Sequence, residues 1–103
     1  MKKIIDGILY NTETAKLIAD KWNGLGNGDF NFLNEEIYQT KKERFFLFGR
    51  GGANTKYGED YGNVRRSGRE IIPLSENEVF EILQDWNEVE VIESLFPDRI
   101  EEA

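Results

Sequence analysis

Apolar positions change period several times along the chain, and each change marks an element. Lys2–Ile5 and Ile8–Tyr10 read as two short strands. Asp6-Gly7 between them is a two-residue hairpin signal, because a type I′ turn needs positive φ at both central positions. Ala15, Ile18, Ala19 and Trp22 then recur at the i, i+3, i+4, i+7 spacing of an amphipathic helix. Asn11 or Thr12 is placed to cap that helix, Glu13 to favour its first turn, and Asn23-Gly24 to stop it. On this reading Trp22 is a core residue. Residues 25–29 form a loop.

Glu35–Thr40 reads as a strand with Ile37 and Tyr38 on opposite faces, followed by the polar turn Lys41-Lys42-Glu43. Arg44–Phe48 is the most apolar strand, and its lack of alternation predicts that both of its faces are covered. Residues 49–68 hold six glycines and little periodicity, so they read as a long loop. Glu70-Ile71-Ile72 returns to the sheet. Ser75 and Glu78 then form a capping box, with Leu74 able to staple onto Val79. Val79, Ile82, Leu83 and Trp86 supply the apolar face of the helix that follows, with Phe80 off that stripe. After Asn87 the helical pattern either continues through Val89, Ile92 and Phe96 or restarts as a short separate helix, and Pro97 ends both versions.

The predicted order is ββα-ββ-loop-βα. This is an α+β fold with a mixed or mainly antiparallel sheet of about five short strands and two or three helices packed on one face. At 103 residues the chain fits one domain, read as 1–97 with an acidic tail at 98–103.

Composition narrows the chemistry. There are no cysteines, which favours a cytoplasmic location for so small a domain. Lys2 and Lys3 are not followed by the apolar run of a signal peptide, and no segment is apolar enough to span a membrane. Histidine is absent too. The usual ligands for zinc, copper, haem and iron–sulfur sites are therefore missing, as are histidine-based acid–base schemes. The residues support a non-enzymatic binding protein with no catalytic, cofactor or metal site.

Charge divides the chain. The net charge is −7, yet residues 41–69 carry eight basic and three acidic side chains, while residues 76–103 carry ten acidic and one basic. The acidic helix offers Glu76, Glu81, Asp85 and Glu88 as a surface for a basic protein partner. The loop interleaves Tyr57 and Tyr61 with Arg50, Lys56, Arg65, Arg66 and Arg69, a pattern suited to stacking on unpaired bases and holding phosphates. The two segments can instead neutralise each other.

Four stretches carry a family resemblance: residues 5–15 (Ile5-Asp6-Gly7-Ile8-Leu9-Tyr10-Asn11-Thr12-Glu13-Thr14-Ala15), residues 36–42, residues 46–52 (Phe46-Leu47-Phe48-Gly49-Arg50-Gly51-Gly52), and residues 71–76. Together they make residues 1–86 resemble a group of small proteins carried by plasmids, phages and conjugative elements of Gram-positive bacteria. That group is similar to some anti-CRISPR proteins, inhibitors of type II CRISPR effector nucleases. The resemblance implies an inhibitor that binds the guide- or DNA-binding surface of an effector, or one that interferes with its guide RNA. A nucleic-acid-binding or RNA-processing protein, and a mobile-element accessory protein without inhibitory role, are the alternative expectations.

Overall fold

The computed structural model describes all 103 residues. It has eight strands: β1 (Lys2–Ile5), β2 (Ile8–Asn11), β3 (Lys16–Trp22), β4 (Leu33–Gln39), β5 (Phe45–Gly51), β6 (Glu59–Tyr61), β7 (Val64–Arg66) and β8 (Gly68–Leu74). They are followed by α1 (Glu76–Asp85), α2 (Val89–Leu95) and a closing 3-10 turn at Pro97–Arg99. The class is α+β, with more strands than the sequence pattern suggests.

β1 and β2 form the predicted hairpin. Asp6 and Gly7 have φ of 52° and 76°, as a type I′ turn requires. The next segment corrects the sequence reading, because residues 16–22 form a strand and not a helix. Asn11 does organise a turn, its side chain accepting from the Glu13 N–H and its carbonyl from the Ala15 N–H. The chain then extends into β3, whose pairing with β4 shifts register between Leu17 and Ala19.

The main sheet runs β3-β4-β5-β8, antiparallel throughout. One face packs on the helices. Ala19, Ile37, Phe45 and Leu47 meet Val79 and Leu83 of α1, Ile92 of α2 and Phe96, with Trp86 half-buried beside them. Ile37, Val79 and Leu83 are fully enclosed, and each such side chain contributes about 1.5–3 kcal/mol of transfer free energy. On the other face the β1–β2 hairpin covers one half of the sheet. Tyr10 meets Phe46 edge-on at 5.5 Å and Tyr38 stacks on it at 5.2 Å, with Ile71 buried alongside. β5 is thus covered on both sides, as its unbroken apolar run predicts.

The capping box at Ser75 and Glu78 is present in both directions. Asn87, at φ 56°, ends α1: the Asn87 N–H donates to the Gln84 carbonyl and the Glu88 N–H to the Leu83 carbonyl. That is a Schellman arrangement with Asn at the left-handed position. The helical pattern is therefore broken after Trp86, and Asn87 terminates the first helix without capping the second. Phe80 packs edge-on against Phe96 at 5.6 Å, and the Arg99 guanidinium lies 4.2 Å from its ring. Residues 97–99 are thereby held against α1. No helix is long and apolar enough to cross a membrane.

Candidate functional site

The acidic surface is built by α1 and the turn after it. Val79 and Leu83 face the core, so Glu81 and Asp85, four residues apart, share the opposite stripe. Glu76, Glu81 and Asp85 are exposed and Glu88 is half-buried. Glu78 is not free, because it accepts from the Ser75 N–H at 2.9 Å. The chain contains two ion pairs, Lys56–Glu35 at 2.8 Å and Arg65–Asp60 at 3.5 Å. Neither links the basic segment to the acidic helices, so the two do not neutralise each other by pairing. The sheet keeps them apart: the helices lie over Phe45, Leu47 and Leu74, whereas the basic segment leaves from Gly51 and returns at Gly68 at the other end of β5 and β8.

The basic loop is more ordered than its sequence suggests, and its predicted site residues divide into three groups. Tyr57 is turned inward and 6% exposed. Its hydroxyl donates to Glu35 Oε2 at 2.5 Å, and its ring occupies the space above Gly49 that any Cβ would fill. Burial, then the Glu35 hydrogen bond and charge, push the phenol well above its usual range. Tyr57 is therefore a packing residue and not a stacking platform, which corrects its assignment to a nucleic-acid surface. Lys56 is committed to the same Glu35.

Arg65 also has a structural task. Its Nε donates to the Ala53 carbonyl at 2.9 Å and its Nη2 to the Gly58 carbonyl at 3.0 Å, tying the β6–β7 hairpin to the preceding turn. On that hairpin Tyr61 is 53% exposed and donates to Glu59 Oε2 at 2.6 Å, which raises its phenol pKa. Arg66 lies 5.1 Å from its ring. Arg66 and Tyr61 are both exposed, as are the Lys56 and Arg65 side chains, whose polar ends are however held by Glu35 and by the Ala53 and Gly58 carbonyls. With Glu59 and Asp60 already engaged by Tyr61 and Arg65, the hairpin tip is closed on itself.

Arg50 and Arg69 form the third group. They are register partners on β5 and β8 and emerge on the sheet face away from α1 and α2. Trp22 and Asn34 continue the same row onto β3 and β4. Sequence reasoning missed both: the helix reading placed Trp22 in the core, yet it is 58% exposed. No alternating pattern in Lys16–Trp22 points to it, because the register shift between Leu17 and Ala19 breaks the alternation of the strand.

The chain matches no family model, no curated protein and no solved structure. Two surfaces stand out in its geometry, one anionic on the helices and one mixed on the sheet.

Proposed function

We propose that this protein is a non-enzymatic inhibitor that docks its acidic helical face on the basic surface of a nucleic-acid-handling protein in a bacterial cytoplasm. A type II CRISPR effector nuclease is the partner that the family resemblance implies. The observation that carries the reading is the C-terminal half of α1. Its last turn has no basic residue, while Glu81 and Asp85 lie on one stripe with Glu88 just beyond. Carboxylates at this end oppose the helix dipole, and like charges four apart repel. Such departures from local stability rules gather at functional sites. A basic groove evolved for a phosphate backbone supplies the countercharge that this chain does not.

Charge-driven docking has a kinetic signature: rim charges act mainly on the association rate and on its salt dependence. The test is surface plasmon resonance of a type II effector against the wild type and the Glu81→Lys/Asp85→Lys/Glu88→Lys variant, from low to physiological salt. The expected result is an association rate that falls with salt for the wild type and is low throughout for the variant. Equal rates for the two proteins would remove the acidic-face reading and leave an accessory protein of the mobile element as the better description.

A further inference from the structure

The half of the sheet face left uncovered by the β1–β2 hairpin carries a cross-strand row that the acidic-face reading does not use. Trp22, Asn34, Arg50 and Arg69 are successive register partners across β3, β4, β5 and β8, so they leave one face side by side. At about 4.8 Å between strands the row spans about 14 Å. Trp22 lines a cavity of about 420 Å³ together with Phe32, Asn34 and Arg50. A second cavity of about 310 Å³ shares Phe32 and Arg50 with the first and extends to Ser67 and Arg69. The two adjoin at Phe32 and Arg50 on the same face of the sheet.

Several features of this surface lack an internal explanation. The Trp22 indole is fixed, its Nε1 donating to the Leu25 carbonyl at 2.7 Å, yet its ring remains largely in solvent. Arg50 lies over the Phe32 ring at 5.6 Å, and its enclosed Nε has no hydrogen-bond partner. Neither Arg50 nor Arg69 is paired with a carboxylate, and like charges directly opposite on neighbouring strands repel. Asn34 is 6% exposed and lines the cavity, and its side-chain amide takes part in none of the chain's hydrogen bonds. An anion between the arginines would relieve their repulsion.

A bare phosphate does not account for the other end of this surface. Asp20 and Glu36, partners in the adjacent row, line the same cavity as Trp22. They would repel an anion placed there but would accept hydrogen bonds from amino groups. An aromatic plane, acceptors beside it and cations farther along match the base and phosphates of a nucleotide in an unpaired strand. We infer that this surface binds a short single-stranded nucleic-acid segment, with one base stacked on Trp22, its amino-bearing edge toward Asp20 and Glu36, and its phosphates at Arg50 and Arg69. The site is distinct from the acidic helices and from the Tyr61–Arg66 hairpin, and it does not rest on the acidic-face reading.

The chain has two tryptophans, so a Trp86→Phe background leaves Trp22 as the only indole reporter. Titrating that protein at low salt with oligocytidylate RNA is expected to quench its fluorescence, and oligocytidylate DNA separates the two sources of the same chemistry. Cytosine offers an amino donor to a carboxylate and uracil does not, so oligouridylate is expected to bind about tenfold more weakly. By fluorescence anisotropy with labelled oligomer, Trp22→Ala weakens binding about tenfold, in line with the loss of one stacked base. Arg69→Ala, at an exposed position, reduces the logarithmic salt slope by about 0.7, one phosphate's worth. Unchanged thermal unfolding of both variants separates these effects from misfolding. Binding of both RNA and DNA, or of RNA alone, supports the inference, the latter adding a role for the 2′-hydroxyl. No binding of either oligomer at low salt overturns it. Binding that survives Trp22→Ala and Arg69→Ala undiminished also overturns it, because the strand is then held elsewhere.

Discussion

Replacing Asp85 by lysine is expected to make the protein more stable and its docking weaker. Asp85 is the last residue of α1, and no basic side chain occupies that turn. A single charge at a helix terminus is worth about 0.3–1 kcal/mol, against folding for an anion at the C-terminal end and for it when a cation takes its place. Glu81 lies four residues earlier, so the same change turns a like-charge pair into a favourably oriented Glu–Lys pair, a swing of about 0.4–1 kcal/mol. Both groups are exposed, and solvent screening brings the net gain to about 1 kcal/mol. For a domain of this size, about 2.1 cal/mol/K per residue of unfolding entropy converts that gain into a rise in Tm of about 4–5 °C. Differential scanning calorimetry at low salt reads the shift directly, and added salt should shrink it. A midpoint that is unchanged or lower at low salt would show that Asp85 is not electrostatically frustrated, and α1 would then carry no sign of a docking surface.

Other consequences of the fold are open to measurement. Phe46→Ala, at a fully enclosed position, should cost about 3–5 kcal/mol in urea unfolding, whereas Trp22→Ala should change stability by no more than about 0.5 kcal/mol; comparable losses at the two positions would restore a core role for Trp22. Gly49→Ala drives a Cβ into the Tyr57 ring and should cost about 1–3 kcal/mol or more, and adding Tyr57→Ala should recover part of that loss as a non-additive pair. Tyr57 ionises above its unfolded value of 10.0 because it is buried and bonded to Glu35, so above pH 10 the folded state holds a proton that the unfolded state has lost. Stability therefore falls as pH rises through that range, and Tyr57→Phe should flatten the fall by up to about 1.4 kcal/mol per pH unit; an identical slope in the two proteins would deny the coupling.

The elements legible in the sequence are those whose cause is local. The Asp6-Gly7 turn, the Ser75–Glu78 capping box and the two-sided burial of Phe45–Phe48 each follow from a few neighbouring residues, and all three are present. β3 was not legible, for a physical reason. The register shift near Leu17 lets Ile18 and Ala19, adjacent in sequence, both pack on the helix side of the sheet. Ala15 meanwhile packs with the β1–β2 hairpin cluster, and Trp22 stands in solvent. Four residues in separate environments thus reproduce a helical spacing by coincidence, and Asn11 adds a turn that resembles a helix cap.

The charge division was visible in the sequence, but the lack of any ion pair across it is a property of the fold. So is the sorting of the basic loop. Nothing local distinguishes Tyr57, which closes over Gly49, from Tyr61, which faces solvent. The row Trp22–Asn34–Arg50–Arg69 depends on the register of four strands, which arises only when the sheet assembles.

The central claim is that an acidic helical face occupies a surface built for nucleic acid. Its most direct test is size-exclusion co-elution of this protein with a type II CRISPR effector nuclease, once free of guide RNA and once guide-loaded. The account predicts co-elution with the guide-free effector, reduced when the guide fills the basic groove and abolished by Glu81→Lys/Asp85→Lys/Glu88→Lys. Failure to co-elute with either form, or co-elution that the triple variant leaves intact, would contradict it.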